Sequence, residues 1–386
     1  MSRLFVGNFD FEHELAGVHR PAAAKLSQDL SACWLALAGE DDAILGFEDV
    51  DADFEGELKR LGRAMPRSVA RPRDEFVPWG WTESMQGLAD KLQCEYSLPS
   101  LDAVRKVNSR AFSHLLEVND KCGPDGLAAV GSVLEFLDAV EPLDGWIAKA
   151  EFSMSSRERI LGKGPATASQ MEWCAKRLDE TGTVFVEPLL AISDEAGWQC
   201  DVPVESGQVQ APEFVGVSGL LMTDKGQFAG CFVNDRELLA RWQEASDGAA
   251  YAAVLAQKTG YSGPLGVDVA RYRLGEKTAL RPTQDINARY TMGRLAIEYA
   301  RLFPLRPVVW LFVPWSRGTT PAEFFVEAKT KLDRGVKLFR TAPFRIGARS
   351  VKLGTLLLVG RNATAVLNSA SAVLSLTGRQ LRIAER

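Results

Sequence analysis

The chain is poor in histidine, and its cysteines follow no pattern. Its 386 residues include three histidines and six cysteines, and no two cysteines form a C-x-x-C pair. The histidines, at positions 13, 19 and 114, are not near the cysteines in sequence. This spacing argues against a structural zinc site, and scattered cysteines in a chain of this size are typical of reduced, buried thiols. A histidine-based catalytic mechanism is also not expected.

Long hydrophobic runs are also lacking. The most apolar stretch, residues 307–315, is far shorter than the roughly 20 residues that span a bilayer. The first residues form a strand-like pattern without the apolar segment of a signal peptide, so we expect a cytoplasmic protein with no membrane partner. The net charge of −5 argues against a general nucleic-acid binder. No G-x-G-x-x-G follows the first strand, so a dinucleotide site there is unsupported.

What is present indicates a globular α/β protein. Apolar residues make up 46% of the chain and charged residues 25%, and the length suggests two or three domains. Hydrophobic periodicity and helix-capping residues predict the order of elements. The predicted strands cover residues 4–6, 33–38, 146–150, 183–186, 214–222, 227–233, 308–313 and 355–359. The predicted helices cover residues 23–30, 54–61, 101–118, 126–140 (with Asp125 as the N-cap), 169–181, 236–259 and 291–302. Over residues 1–97 the alternation favours a small parallel sheet.

A hairpin over residues 265–289 places polar side chains on one face of a sheet. Gly275-Glu276 fits a two-residue turn, so residue 268 is expected to pair with residue 283. Cross-strand partners share a face, so Asp268 would lie one diagonal step from Asp285 and Asn287. Side chains alternate with period 2, so Arg289 lies on the same face.

These residue types suit a divalent cation. Mg²⁺ prefers hard oxygen ligands and usually takes more of them from phosphates. Two carboxylates and an amide oxygen therefore predict a magnesium site, and Arg289 could hold a phosphate or a substrate carboxylate through two parallel hydrogen bonds. The alternative is an exposed sheet face with ordinary polar residues.

The hairpin resembles the ATP-grasp superfamily. Members end their catalytic part on a strand with an acidic residue, an Asn two positions later and then an Arg, after an upstream Gly-hydrophobic-Asp strand. Gly266-Val267-Asp268 and Asp285-Ile286-Asn287-Ala288-Arg289 match this pattern. The metal-binding acid is more often Glu in this superfamily. Asp285 is one methylene shorter, which leaves the metal geometry open.

Other segments resemble superfamily motifs in the required order, over about residues 100–293. Arg110 follows Asn108-Ser109 as the first phosphate-binding cation does, and Lys149 ends the pattern of the lid strand that reaches ATP phosphates. Lys163 ends a loop over residues 153–164 that resembles the phosphate-covering loop, although this loop is poorer in glycine. Glu187 occupies the linker beside adenine, and Asp194 the place of a ribose-binding acid. Each of these charges could instead be an ordinary surface charge.

The resemblance implies an α/β architecture, with an α+β nucleotide-binding part. The expected divisions are an N-terminal domain (1–97), a lid subdomain (98–188), a catalytic subdomain (189–303) and a C-terminal α/β extension (304–386). The implied cofactors are ATP and Mg²⁺, with Mn²⁺ as the alternative metal. The implied activity is ligation, in which a carboxylate becomes an acyl phosphate that an amine or similar nucleophile attacks, releasing ADP and phosphate. Arg289 and Lys149 would be the catalytic residues.

The implied partners are small-molecule or peptide carboxylates and amines, and a homo-oligomer is left open. Two other functions remain: an ATP-grasp-like kinase, and a non-catalytic ATP-binding regulatory protein. Residues 329–352 hold eight Lys or Arg and one acid. This run could contact an anionic partner such as a carrier or nucleic acid, although such runs are usually solvated faces or oligomer contacts.

Overall fold

The computed structural model describes residues 1–18, 21–67, 69–153, 158–204, 209–234, 236–315 and 319–382. No helix in these ranges is both long and apolar enough to cross a membrane. The helices are α1 (Phe11–Leu15), α2 (Pro21–Leu30), α3 (Phe54–Leu61), α4 (Glu83–Lys91), α5 (Leu101–Asn108), α6 (Arg110–Asn119), α7 (Val133–Val140), α8 (Ala168–Thr181), α9 (Arg236–Trp242), α10 (Ser246–Lys258), α11 (Met292–Arg301), α12 (Pro321–Thr330) and α13 (Ala363–Ser375).

The strands form a three-stranded, a four-stranded and a nine-stranded sheet, with one separate two-stranded pair, among the described residues. They are β1 (Arg3–Val6), β2 (Ala43–Ile44), β3 (Glu75–Pro78), β4 (Ala128–Val130), β5 (Gly145–Ala150), β6 (Arg159–Lys163), β7 (Val184–Pro188), β8 (Ala191–Val202), β9 (Glu213–Thr223), β10 (Phe228–Val233), β11 (Gly263–Leu274), β12 (Lys277–Asn287), β13 (Val308–Pro314), β14 (Lys337–Arg340), β15 (Arg345–Ile346), β16 (Arg349–Ser350), β17 (Leu353–Val359) and β18 (Leu381–Arg382).

The N-terminal part contains the small parallel sheet that the sequence predicted. Its order is β2-β1-β3, with both pairs parallel. The predicted strand at 33–38 is wrong, because Ser31–Ala36 forms a 3₁₀ helix whose residues are all buried. A short, fully buried apolar run has no period that separates strand from helix. The second strand of this sheet is instead the short β2.

The predicted helix over 101–118 breaks at Ser109, which has extended backbone angles of φ −71° and ψ 139°. The Ser109 hydroxyl accepts a hydrogen bond from the Ala111 amide and so caps α6. The Arg110 amide donates to the carbonyl of Glu151 at 3.2 Å. The break therefore places Arg110 at the start of α6, against the end of β5.

The four-stranded sheet has the order β4-β7-β5-β6 and is antiparallel throughout. The predicted helix over 126–140 is wrong in its first half, which contains β4; the helix starts at Val133 and is capped by Ser132, not Asp125. The predicted loop over 153–164 is wrong at its end, where β6 pairs with β5. Its residues 154–157 lie outside the described residues.

The nine-stranded sheet has the order β12-β11-β8-β9-β10-β13-β17-β14, with β18 on β9. Strand β8, which is 12 residues long, is not among the predicted elements. The predicted helix over 236–259 divides into α9, a 3₁₀ turn and α10. Strands β13, β14 and β17 continue the sheet beyond residue 303, so the division between the catalytic and C-terminal parts stays a prediction.

The hairpin of β11 and β12 has the predicted turn but a different register. Leu274 pairs with Lys277 as expected, whereas Asp268 pairs with Asp285 instead of Thr283. A bulge between Asp268 and Ala270 of β11 shifts the register by two residues. The bulged part of β12 includes Pro282, which has no N–H to donate to a ladder. The shift brings the two aspartates directly opposite each other.

Arginines of the basic C-terminal run bind acids of the N-terminal part. Three ion pairs are formed: Arg340 with Asp51, Arg345 with Asp49, and Arg349 with Asp29. The anionic partners of these three arginines therefore belong to the same chain.

Replacing Asp51 by Asn is expected to destabilise the fold by about 2 kcal/mol. Its carboxylate accepts from Arg340 Nη1 and from the Phe344 amide, both at 2.6 Å, and Arg340 is only 2% exposed. Urea unfolding of the variant measures the loss. Asp53→Asn is the control, since Asp53 is exposed and makes no side-chain cap bond. Equal losses of stability in the two variants would contradict a stabilising role for the contacts of Asp51 with Arg340 and Phe344.

Candidate functional site

Two carboxylates meet on adjoining strands. Asp268 on β11 and Asp285 on β12 are direct cross-strand partners. On its other side Asp268 adjoins β8 at Gly197, where an added Cβ would lie 3.7 Å from Asp268 Oδ1. Burial and then the charge of Asp285 raise the pKa of Asp268 to about 7. Two adjoining carboxyl groups, with the pKa of Asp268 raised in this way, favour a cation between them.

Asn287 and Arg289 extend this group. Asn287 Nδ2 lies 3.5 Å from Asp268 Oδ2, and its Oδ1 accepts from Arg289 Nη2 at 2.9 Å. Arg289 also donates from Nε to Glu12 Oε1 at 2.6 Å and from Nη1 to the Tyr290 carbonyl at 2.9 Å. Its guanidinium is thus held by protein groups and orients the Asn287 amide. Glu12, which is 2% exposed and lies in α1, is not among the residues predicted from sequence.

Arg110 connects the beginning of α6 with the paired acids. Its Nε donates to the carbonyl of Ala150 at 3.3 Å, and its Nη2 lies 3.0 Å from Ser153 Oγ and 3.5 Å from Asp285 Oδ2. The side chain is 9% exposed. This places one guanidinium between the end of β5 and the aspartates.

Four buried charges form a chain beside β5. Lys149 Nζ lies 2.7 Å from both carboxylate oxygens of Glu187. Arg281 donates from Nη1 to Glu187 at 2.8 Å, and from Nε and Nη2 to Glu117 at 2.6 and 2.7 Å. Burial alone would raise the pKa of Glu187, but Lys149 and Arg281 outweigh it and hold that pKa well below its usual range. We call these four residues the buried ion network.

Only part of this network has a signal in the sequence. Lys149 and Glu187 stood out because they lie in segments that resemble superfamily motifs. Arg281 and Glu117 gave no such signal, since they are 164 positions apart and neither belongs to a motif. A buried arginine in a strand looks in sequence like a solvated one.

The structure does not bring Asp194 to the paired acids. Its Oδ2 accepts from Arg241 Nη1 at 2.9 Å. The next residue, Glu195, pairs with Ala270, which lies two positions from Asp268 on β11. Glu195 therefore shares the face of Asp268, and its charge helps to raise the pKa of Asp268. Because neighbouring residues of a strand point to opposite faces, Asp194 points away.

Lys163 also lies apart from Lys149. It is exposed and pairs with Gly145 at the far end of β5. The partner of Lys149 is Arg159, four residues from Lys163, or roughly 13 Å along the strand. Arg159 Nη2 donates to the carbonyl of Gly226 at 3.0 Å, so it joins β6 to the turn between β9 and β10.

The oxygen donors of this group fit magnesium better than zinc. The described residues contain no group of three or more His, Cys, Asp or Glu that could hold a metal by themselves. Asp268, Asp285 and Asn287 offer carboxylate and amide oxygens only, and Mg²⁺ is commonly held by one or two carboxylates with the rest from phosphates. The high pKa of Asp268 agrees with a carboxylate pair that a cation would stabilise.

Comparison with known proteins shows the fold. No protein-family model matches the chain, and no curated protein sequence matches it. N5-carboxyaminoimidazole synthetase from Staphylococcus aureus, complexed with ADP, is 11% identical with a TM-score of 0.56, covering 97% of this chain and 96% of that chain. N5-carboxyaminoimidazole synthase from Aspergillus clavatus, with ADP and 5-aminoimidazole ribonucleotide, is 10% identical with a TM-score of 0.53, covering 98% and 99%.

A third similar structure is the biotin carboxylase domain of 2-oxoglutarate carboxylase from Hydrogenobacter thermophilus, with MgADP, ADP and bicarbonate. It is 11% identical with a TM-score of 0.50, covering 93% of this chain and 86% of that chain. All three are ATP-grasp proteins. The chain has the ATP-grasp fold, which confirms the fold that its motifs predicted.

Proposed function

We propose that the protein is an ATP-dependent ligase that converts a carboxylate to an acyl phosphate, which an amine or similar nucleophile then attacks. The observation that carries this proposal is the meeting of Asp268 and Asp285 on adjoining strands, with Arg110 3.5 Å from Asp285. Phosphoryl transfer requires mainly positioning and neutralisation of charge, which oxygen ligands for a cation and nearby guanidinium groups provide. Similar structures that contain ADP or MgADP support it.

The proposed cofactors are ATP and Mg²⁺, with Asp268, Asp285 and Asn287 as the metal ligands. The bound ion would neutralise charge on the phosphate oxygens. Arg110 would hold phosphate oxygens beside Asp285. In this arrangement Arg289 acts on Asn287, because its donors are held by Glu12, Asn287 and the Tyr290 carbonyl.

The proposed place of the second substrate is the edge where the N-terminal sheet meets Arg289. Ligands of open parallel sheets bind beyond the carboxyl ends of the strands. The segments that follow β1 and β3 meet there, since the Asn8 side chain and the Gly80 backbone exchange hydrogen bonds of 2.9 and 3.3 Å. The ring of Trp79 lies 5.5 Å from the Arg289 guanidinium carbon. A small-molecule carboxylate or amine would bind at this edge.

Hydroxylamine trapping tests the proposal. Incubation with MgATP, hydroxylamine and a panel of carboxylic acids is expected to give an acyl hydroxamate, because hydroxylamine attacks an acyl phosphate. One ADP should be released for each hydroxamate formed. A stable phosphorylated product without hydroxamate would indicate a kinase. ATP binding, seen as a thermal shift, without turnover for any acid and amine would indicate a regulatory protein. Either result contradicts the ligase proposal.

A further inference from the structure

Glu187 has two cationic partners although one would neutralise it. Lys149 contacts both of its oxygens at 2.7 Å, and Arg281 contacts Oε2 at 2.8 Å. The carboxylate is 7% exposed, so solvent screens neither interaction strongly. Arg281 is itself paired with Glu117, so Glu187 borders a neutral ion pair on one side and the Lys149 ammonium on the other.

The two partners differ in how firmly they are held. Arg281 is 2% exposed and is anchored by two parallel hydrogen bonds to Glu117, which is also 2% exposed. Lys149 lies on β5 next to Ala150, whose carbonyl binds Arg110. Its ammonium is a compact charge on a flexible four-carbon chain, whereas a guanidinium held at two atoms is fixed in direction. Lys149 is therefore the partner that can move.

We infer that Arg281 is a positioning residue that lets Lys149 leave Glu187 and bind a phosphate of the nucleotide. If Lys149 left a carboxylate that had no other cation, a bare buried charge would remain, and such a charge is strongly unfavourable. With Arg281 present, Glu187 keeps a cation after Lys149 turns away. This inference rests on the proposed function, because it requires a nucleotide whose phosphates attract Lys149.

The network also explains why Glu117 is needed. When Lys149 turns away, Arg281 alone faces Glu187 and must not itself be drawn toward the phosphates. Its two bonds to Glu117 hold it in place. The pair of Arg281 and Glu117 is neutral, so removing both charges together leaves neither partner unpaired. A variant that lacks both is therefore expected to stay folded.

The test uses the double variant Glu117→Gln/Arg281→Gln. In this variant Lys149 is the remaining network partner of Glu187. Its affinity for MgATP, measured by calorimetric titration, is expected to fall by about 10-fold or more, since Lys149 must now leave a bare carboxylate. In the hydroxylamine assay the KM for ATP should rise while kcat at saturating ATP changes by less than about threefold. A merely structural defect would lower kcat as well.

Adding Glu187→Gln to the double variant is expected to raise MgATP affinity about threefold or more above that of the double variant, because no charge then holds Lys149. Arg294→Gln/Asp201→Asn is the matched control, since this pair also forms two parallel bonds, of 2.9 and 3.0 Å, outside the network. It should leave the affinity unchanged. Undiminished affinity in the double variant, or no recovery in the triple variant, overturns the inference alone. A wild-type protein that binds no MgATP overturns the proposed function as well.

Discussion

Alanine at both Asp285 and Asn287 is expected to lower ATP turnover by about 10³-fold or more. A bound metal contributes several kcal/mol of charge stabilisation, and each 1.4 kcal/mol corresponds to a factor of ten in rate. The double variant would leave one carboxylate, Asp268, to hold the ion. Release of ADP in the hydroxylamine assay at saturating acid measures the change. Asp179→Ala, at an exposed position of α8, is the control and should keep wild-type turnover.

The loss is expected without unfolding. Asp285 is a main cause of the raised pKa of Asp268, so its removal relieves a repulsion between adjoining acids. It also ends a 3.5 Å contact with Arg110, which keeps its bonds to Ala150 and Ser153. We therefore expect the double variant to unfold within about 1 kcal/mol of the wild type. Turnover that persists in a folded double variant would show that the paired acids are not the metal site.

The sequence could predict the acids of this site but not their register. Period-2 alternation places Asp285 and Asn287 on one face, and Gly275-Glu276 gives the turn. The bulge that includes Pro282 depends on how β11 meets both of its neighbours, so it has no local signal in sequence. A prediction based on the turn alone therefore pairs Asp268 with the wrong residue.

Contacts between distant segments also have no local signal in sequence, so they could not be predicted. Glu12 meets Arg289 across 277 positions, and Glu117 meets Arg281 across 164. Charged residues are usually exposed, so a single sequence favours a surface position for each of them. The ribose-binding role of Asp194 stays a prediction: its spacing from Glu187 fits a superfamily motif, while strand alternation turns Glu195, and not Asp194, toward Asp268.

Arg281→Met is expected to destabilise the fold by about 3–5 kcal/mol at pH 8, because it leaves a buried carboxylate without its partner. Glu117 is 2% exposed, and its two hydrogen bonds to Arg281 are the ones that would be lost. Urea unfolding measures the difference from wild type. The double variant Glu117→Met/Arg281→Met removes the charge pair with side chains of similar length, so it should recover most of the loss.

The destabilisation should shrink at acidic pH. Burial already raises the pKa of Glu117, and loss of Arg281 removes the cation that opposes this rise. A carboxyl whose folded pKa lies above its unfolded value, about 4.3, binds a proton more readily in the folded state. Folded stability of Arg281→Met then falls as pH rises through the window between the two values, by up to about 1.4 kcal/mol per pH unit for one group.

In the wild type, the stabilisation that Glu187 provides depends on pH in the opposite direction. Lys149 and Arg281 hold its folded pKa below the unfolded value, so its stabilisation is present above the unfolded pKa and is lost as pH falls. The Glu117 effect narrows the gap in stability between wild type and Arg281→Met as pH falls from 8 to 5, whereas the Glu187 effect adds to it only below the unfolded pKa of about 4.3. We therefore expect a smaller gap at pH 5 than at pH 8 in urea unfolding. A gap that stays constant or widens would show that lost packing around Arg281, and not an uncompensated carboxylate, causes the instability.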